Sequence, residues 1–248
     1  LGRKEEKLIK VVESINSRPG LEADYRVLDI RKFDAVQRSF LEITDTIGSI
    51  DLLVNSAGGQ FPQPALDFSE KGWRTVIDTN LNGTWNMMHA AAQLWRANDL
   101  PGSIVNIVVV NQGLYGVAHT SAARAGVIAF SEKASVEWAP HKIRVNCIGP
   151  GAIETEGWEV YPESARSRYP ASNPSMRPGS PWEVAEAAIF LGGPGGKFIN
   201  GATLIIDGGG QHWGEVWTTG KPDYFRQASR KPKGGRPRLN GLSRSFRL

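Results

Sequence analysis

Apolar residues along this chain recur at two different spacings, and each change of spacing marks an element. Leu8, Val11, Val12 and Ile15 recur at helical intervals, predicting a helix over 4–16 that Arg18-Pro19-Gly20 breaks. Residues 25–30 read as a strand. Phe33, Val36, Phe40, Ile43 and Ile47 return to helical spacing and stop at Gly48. A second apolar strand covers 50–55 and runs into Ala57-Gly58-Gly59. Ser69 is placed to cap the next helical region, whose Trp73, Val76, Ile77, Asn80, Leu81, Thr84, Trp85 and Met88 share one side. The third strand, 103–110, is nearly all apolar, as expected when both faces are covered. Ala123, Val127, Phe130, Ala134 and Trp138 mark a long helix, and a fourth strand over 143–148 ends at Gly149-Pro150-Gly151. An irregular stretch over 154–181 follows, then a helix over 182–191. A fifth strand over 203–207 is closed by Gly208-Gly209-Gly210.

Continuous apolar strands alternating with helices predict an α/β fold with a doubly wound, Rossmann-like parallel sheet. Ligands of such sheets sit beyond the carboxyl ends of the strands. The polar and glycine-rich positions gather at those ends: Asp29, residues 55–59, 111–116 and 150–155. Four clusters in register point to one ligand site.

Composition changes this picture in three places. The 248 residues suit one domain, taken as 1–220, and the single cysteine, Cys147, excludes an intramolecular disulfide. No apolar run approaches the ~20 residues that span a bilayer, so no membrane role is expected. The net charge of +4 is uneven. Residues 221–248 hold nine of the 29 Lys and Arg and one of the 25 Asp and Glu, a balance of +8; residues 1–220, with 20 basic and 24 acidic groups, carry −4. The basic segment is expected to be a disordered, solvated tail, with nucleic-acid or anionic-membrane contact as the lesser alternative.

Five motifs carry a family resemblance: Asn55-Ser56-Ala57-Gly58; Asp78-Thr79-Asn80-Leu81-Asn82-Gly83; Gly102-Ser103-Ile104-Val105-Asn106-Ile107; the run from Ile143 through Pro150-Gly151-Ala152-Ile153-Glu154-Thr155; and Asp207-Gly208-Gly209. In order and spacing the chain resembles the short-chain dehydrogenase/reductase family over residues 1 to about 210. The segment His119-Thr120-Ser121-Ala122-Ala123-Arg124-Ala125-Gly126-Val127 is similar to the branch that reduces trans-2-enoyl-CoA, and also to bacterial terpene-alcohol dehydrogenases.

The resemblance implies a chain lacking the family's first strand, first helix and most of its second strand, and with them the glycine-rich turn that holds a pyrophosphate. Removing two strands at ~4.8 Å each would leave a gap of about 14 Å, so the sheet must collapse, stay split or be completed by another segment. Dinucleotide binding by the chain as it stands is expected to be poor. The family's Tyr and Lys fall on Thr120 and Arg124, its Ser pair on Val108-Val109, and only Asn80 keeps its usual identity.

These departures bear on chemistry. Carbonyl reduction needs an acid to protonate the developing alkoxide, and an aliphatic hydroxyl such as that of Thr120 is a poor one. Reduction of a conjugated C=C places charge on a thioester oxygen, where hydrogen-bond donors suffice. The expectation is therefore an NADPH-dependent reductase of a trans-2-enoyl-CoA. The alternatives are an alcohol or ketone oxidoreductase and a catalytically silent subunit. Candidate catalytic residues are Asn80, Thr120, Arg124 and Tyr115. Arg124 cannot shuttle protons but suits the nicotinamide ribose, or else a salt bridge. Tyr115 suits the substrate oxygen, or else packing. His119 either caps the following helix or touches substrate.

For NADP(H), the resemblance implies that Arg3 and Lys4 meet the 2′-phosphate, unless they are a solvated helix start, with Asp29 near the adenine. Asn55, Ala57 and Gly58 would lie by the ribose, and Pro150, Gly151, Ile153 and Thr155 by the nicotinamide amide. No metal site is expected. The 154–181 stretch, with Trp158, Tyr161, Tyr169 and Met176, reads as a substrate lid, with Trp213 and Trp217 adding an apolar wall. Arg166 and Arg168 are either CoA-phosphate contacts or solvated. A homo-oligomer paired through the long helices and a cytoplasmic location complete the reading. The peroxisome is the alternative, because Arg247-Leu248 match only part of a Ser-Lys-Leu ending.

Overall fold

The computed structural model describes residues 1–109, 115–214 and 218. The loop before Tyr115, Trp217 and the basic tail lie outside them. Four parallel strands form the sheet in the order β1-β2-β3-β4: β1 (Leu52–Asn55), β2 (Gly102–Ile107), β3 (Ile143–Pro150) and β4 (Thr203–Ile206). Seven α-helices accompany it among the described residues: α1 (Glu5–Asn16), α2 (Phe33–Ile47), α3 (Glu70–Ile77), α4 (Gly83–Ala97), α5 (Ala118–Glu137), α6 (Glu163–Arg166) and α7 (Pro181–Gly192).

The sheet is covered on both faces because consecutive residues of a strand point opposite ways. Leu53, Ile104 and Val145 turn toward Met88, Ala91 and Trp95 of α4 and Ala134 of α5. Val105 and Ile148 turn the other way, onto Ala188 and Leu191 of α7. Gly102 is required where it stands: a Cβ there would collide with the fully buried Trp95 indole, whose Nε1–H donates to the Ile50 carbonyl at 2.6 Å. α2 ends at Gly48, whose N–H makes the last helical bond to the Thr44 carbonyl and whose φ of +99° turns the chain out of the helix. Ser69 caps α3 by accepting from Gly72 N–H at 3.0 Å, as its sequence position predicts.

One element differs from expectation. The stretch over 25–30 is not a strand; its ladder shrinks to a single parallel bridge between Gly2 and Val27, in which Leu28 N–H donates to the Gly2 carbonyl at 2.8 Å. A strand exists only where a neighbour pairs with its N–H and C=O groups, and among the described residues Gly2 alone does so. Leu28 still buries itself against α2, so apolar burial survives without the ladder. The third strand stops at Ile107, and α1 buries no residue fully; Val11, expected on its inner face, is exposed.

Candidate active site

The site is assembled where β1 ends and where the helical region after Ser69 changes its winding. Between α3 and α4, residues Asp78–Asn82 form a single π-turn. Such turns insert one residue into a helix, free a backbone carbonyl and often mark functional positions. Here the turn swings Asn80 inward, to 1% exposure. Its Oδ1 accepts from Gly59 N–H and its Nδ2 donates to the Gly59 carbonyl, both at 2.9 Å. The Asn80 carbonyl accepts from Thr84 Oγ1 at 2.9 Å and from Arg124 Nη1 at 3.4 Å. Asn80 thus pins the loop after β1 to the middle of the helical layer.

Arg124 reaches the same loop from α5. It is only 7% exposed, and its Nη2 donates to the Ala57 carbonyl at 3.0 Å. Gly58 lies so close beneath that a Cβ would collide with Nη2. Burial holds the guanidinium down to about 10, against its ordinary 12.5. Among the described residues no carboxylate pairs with it. A buried cation held only by carbonyls keeps donors free for an oxygen-rich ligand.

One turn earlier on α5, Thr120 is buried. Its N–H donates to Nδ1 of His119 at 2.7 Å, and its hydroxyl lies 3.4 Å from the same nitrogen. His119 stands inside the first turn of α5 rather than before it, and satisfies a helix donor from there. Burial lowers its pKa. Phe68 stacks on the imidazole at 4.4 Å, and Phe61 meets it edge-on at 4.6 Å. Thr120, Arg124, Asn80, Ala57 and Gly58 are therefore brought together. Tyr115 stands apart at 84% exposure.

The remaining candidates fall into three groups. Asn55 belongs to the sheet interior: its Nδ2 donates to Asn106 Oδ1 at 2.8 Å, and Asn106 donates to Ser131 at 3.0 Å. Pro150 and Gly151 end β3 against β4, with Gly151 N–H on the Ile206 carbonyl at 2.9 Å and an added Cβ at Gly151 meeting Asp207 Cα at 2.8 Å. Ile153 bridges to Gly179, and Thr155 Oγ1 accepts from Gly157 N–H at 3.2 Å. Arg3, Lys4 and Asp29 form a separate charged corner. There Arg31 Nε donates to Asp29 at 2.9 Å, and the Arg31 guanidinium, with help from Arg3, holds that carboxyl down to about 2. Asp29 is thus already engaged by a cation. Lys7 joins this corner to the 154–181 stretch through a 2.6 Å ion pair with Glu156.

That stretch is not structureless. It holds short helical turns at Glu156–Val160, α6 and Tyr169–Ala171. Tyr169 packs on both Trp158 and Tyr161, with centroids 4.7 and 5.9 Å away. The Tyr161 hydroxyl accepts from Gln60 Nε2, which ties the stretch to the loop after β1. Burial raises the Tyr161 pKa. Arg166 pairs with Glu163 at 2.9 Å.

Residues 2–211 match the family model described as enoyl-(acyl carrier protein) reductase. The chain is 34% identical over 222 residues to a peroxisomal 2,4-dienoyl-CoA reductase, (3E)-enoyl-CoA-producing, of Arabidopsis thaliana, covering 84% of this chain and 74% of that protein. It is 33% identical over 211 residues to the 3-oxoacyl-acyl-carrier-protein reductase FabG of Chlamydia muridarum, covering 84% of each. The chain is a member of the short-chain dehydrogenase/reductase family. Its fold superposes with a TM-score of 0.80 on a gluconate 5-dehydrogenase from Burkholderia cenocepacia in complex with NADP and tartrate, 30% identical, over 86% of this chain and 85% of that one.

Within this short-chain dehydrogenase/reductase, sequence reasoning missed the Gln60–Tyr161 link and the aromatic enclosure of His119 by Phe61 and Phe68. The signal was present only as unassigned polar and aromatic residues beside a glycine-rich turn. Which residue each would touch depended on how the 154–181 stretch folds back.

Proposed function

We propose that this oxidoreductase reduces a carbon–carbon double bond conjugated to a thioester, of the trans-2-enoyl-CoA type, with NADPH as reductant. One observation supports the reading: among the described residues the buried centre presents a hydroxyl and a guanidinium, Thr120 and Arg124, and no phenol–ammonium pair. A ketone would require that centre to protonate an alkoxide, and neither group is an acid near neutral pH. An enolate asks only for hydrogen-bond donors.

The residues fit a nicotinamide cofactor at two points. Arg124 is a buried cation without a carboxylate, and nothing lies within 4 Å of a Cβ position at Gly59. Arg124 would hold a ribose hydroxyl; Asn55, Ala57 and Gly58 would let the ribose approach; Pro150, Gly151, Ile153 and Thr155 would face the amide. Arg3 and Lys4 would meet the 2′-phosphate, and Asp29, already bound to Arg31, would sit beside the adenine. A reduced nicotinamide supplies a hydride.

With that hydride supplied to the substrate's β-carbon, negative charge would develop on the thioester oxygen, and a proton from water would complete the α-carbon. Thr120, the buried one of the two hydroxyl candidates, would serve as donor to that oxygen, and the exposed Tyr115 is the alternative. Asn80 holds the Gly59 loop in register and acts by positioning. Arg168 would meet a CoA phosphate. Assembly as a homo-oligomer through α4 and α5, and a cytoplasmic location, belong to the same proposal.

The test uses the purified protein. NADPH oxidation is followed with crotonyl-CoA, longer 2-enoyl-CoA, a 2,4-dienoyl-CoA and a 3-oxoacyl thioester. Turnover of conjugated thioesters with NADPH is the expected result. Turnover confined to the 3-oxoacyl thioester would move the assignment to ketone reduction, the activity named for the Chlamydia relative.

A further inference from the structure

A small polar cavity of about 50 Å³ lies where the 154–181 stretch returns to the sheet. Three pieces of chain meet there: the turn over 173–179, the end of β4 with Asp207 and Gly208, and the first turn of α7 at Glu183. Asn173, only 4% exposed, contributes an amide to the lining, Asp207 a carboxylate and Ser175 a hydroxyl. The Ser175 hydroxyl donates to the Gly208 carbonyl at 3.2 Å. A Cβ at Gly208 would meet Asn173 Oδ1 at 2.7 Å and Ser175 Oγ at 3.2 Å, so both oxygens close on one place that glycine leaves open.

Asn173 uses half of its amide. Its Nδ2 donates to the Arg177 carbonyl at 2.8 Å, which fixes the orientation, because a carbonyl accepts only from the nitrogen end. Its Oδ1 is buried and meets no hydrogen-bond partner. A buried oxygen without a donor or a cation bears its full desolvation penalty, and folded proteins rarely keep one without a use. The charges around the cavity do not cancel either. Glu183 accepts from both Arg177 Nη atoms, at 2.6 and 3.0 Å, so those two charges answer each other. Asp207 accepts backbone N–H groups, from Gly209 at 2.9 Å and Gln211 at 2.6 Å, and among the described residues no cationic side chain pairs with it. One negative charge is left over.

We propose that this cavity binds one monovalent metal cation, K⁺ or Na⁺, through Asn173 Oδ1 and the Asp207 carboxylate, with Ser175 Oγ beside them. Oxygen ligands suit a hard cation, and a single uncompensated charge suits an ion of charge one. Among the described residues no group of three His, Cys, Asp or Glu is placed to hold a metal ion, so the carboxylate-rich cage of a divalent ion is lacking. The cavity has room for the ion and about one water, whose share of volume is ~30 Å³. The ion ties the base of the 154–181 stretch, where Gly179 N–H bonds the Ala152 carbonyl at 2.9 Å, to the end of β4. It anchors that stretch and takes no part in the hydride chemistry, so the inference stands apart from the thioester reading.

The test compares thermal midpoints of the purified protein in KCl, NaCl and choline chloride at equal ionic strength. Choline is too large for the cavity and controls for screening. K⁺ or Na⁺ is expected to raise the midpoint saturably, by roughly 3–6 °C over choline. Asn173→Leu removes the oxygen at similar volume and should weaken the apparent cation affinity at least about tenfold. Asn173→Asp keeps an oxygen and adds a charge, so it should bind the cation at least as tightly as wild type. Thallium NMR with Tl⁺ as the probe should show a bound resonance that K⁺ displaces.

Equal midpoints of wild type in all three salts would overturn the inference and leave the cavity to water. So would a cation response in N173L as large as that of wild type, or the lack of any bound Tl⁺ signal. If N173L does not fold, the wild-type titration and N173D decide the matter: a response lost in N173D refutes the assignment of the amide oxygen as a ligand.

Discussion

Replacing Arg124 with methionine separates what the guanidinium costs the fold from what it does for the ligand. Its pKa of about 10 against 12.5 corresponds, at 1.36 kcal/mol per unit, to roughly 3 kcal/mol working against the charged form. Below pH 10 the side chain is charged in both the folded and unfolded chain, so at neutral pH this penalty is fully present. Between about 10 and 12.5 the unfolded chain alone holds the proton, and stability rises with pH. R124M removes the penalty and the alkaline rise together. It also removes the 3.0 Å bond to the Ala57 carbonyl, a charged-donor bond of about 1.5–3 kcal/mol, and the weaker 3.4 Å contact to the Asn80 carbonyl. The two effects nearly cancel, so R124M should denature within about 2 kcal/mol of wild type at neutral pH. NADPH affinity, read by nucleotide fluorescence, should fall at least about tenfold as a buried charged donor is lost. Destabilisation by about 4 kcal/mol or more, with nucleotide affinity unchanged, would refute the reasoning and make Arg124 a structural clamp.

Asn80→Ala removes both bonds to Gly59, whose backbone can then turn to water; a loss of roughly 2 kcal/mol in a denaturant titration is expected, with a larger fractional loss of kcat as the loop after β1 loosens. Glu183 accepts from Arg177 at 2.6 and 3.0 Å and from Ser180 N–H at 2.7 Å, and the Arg177 guanidinium leads in holding its pKa at about 2. Because the folded pKa is depressed, the Glu183 contribution is present above 4.5 and lost as pH falls toward 2. E183Q should therefore be less stable than wild type at neutral pH, with the difference vanishing at the acid end of that window in urea titrations. Tyr161→Phe should leave enoyl reduction within about threefold; a fall of 10² or more would make that phenol the acid and favour ketone chemistry.

The amino-acid sequence by itself determined the elements whose apolar spacing matched one burial environment. Phe33, Val36 and Phe40 predict α2, Gly48 ends it, and its bounds are 33–47 as read. The continuous apolar runs of β2 and β3 required helices on both faces, and α4, α5 and α7 supply them. The polar and glycine-rich positions at the strand ends, 55–59 among them, were legible in the same way, whereas Asn80, Thr120 and Arg124 were singled out by the family resemblance.

Tertiary structure decided what pairwise contact alone can decide. The 25–30 segment had the side chains of a strand, but a ladder needs a neighbour, and among the described residues only Gly2 provides one. The π-turn at Asp78–Asn82 rotates Asn80 toward Gly59 by one inserted residue, a change that apolar periodicity does not encode. Arg124 lies on a readable helix face, yet its partner is a carbonyl 67 residues away, and that distance closes only when β1 and α5 dock. The enclosure of His119 was decided the same way, by two aromatic rings closing around it. Side-chain spacing is a local property of the chain, whereas the partner of a polar atom is set by which distant backbone comes to rest beside it.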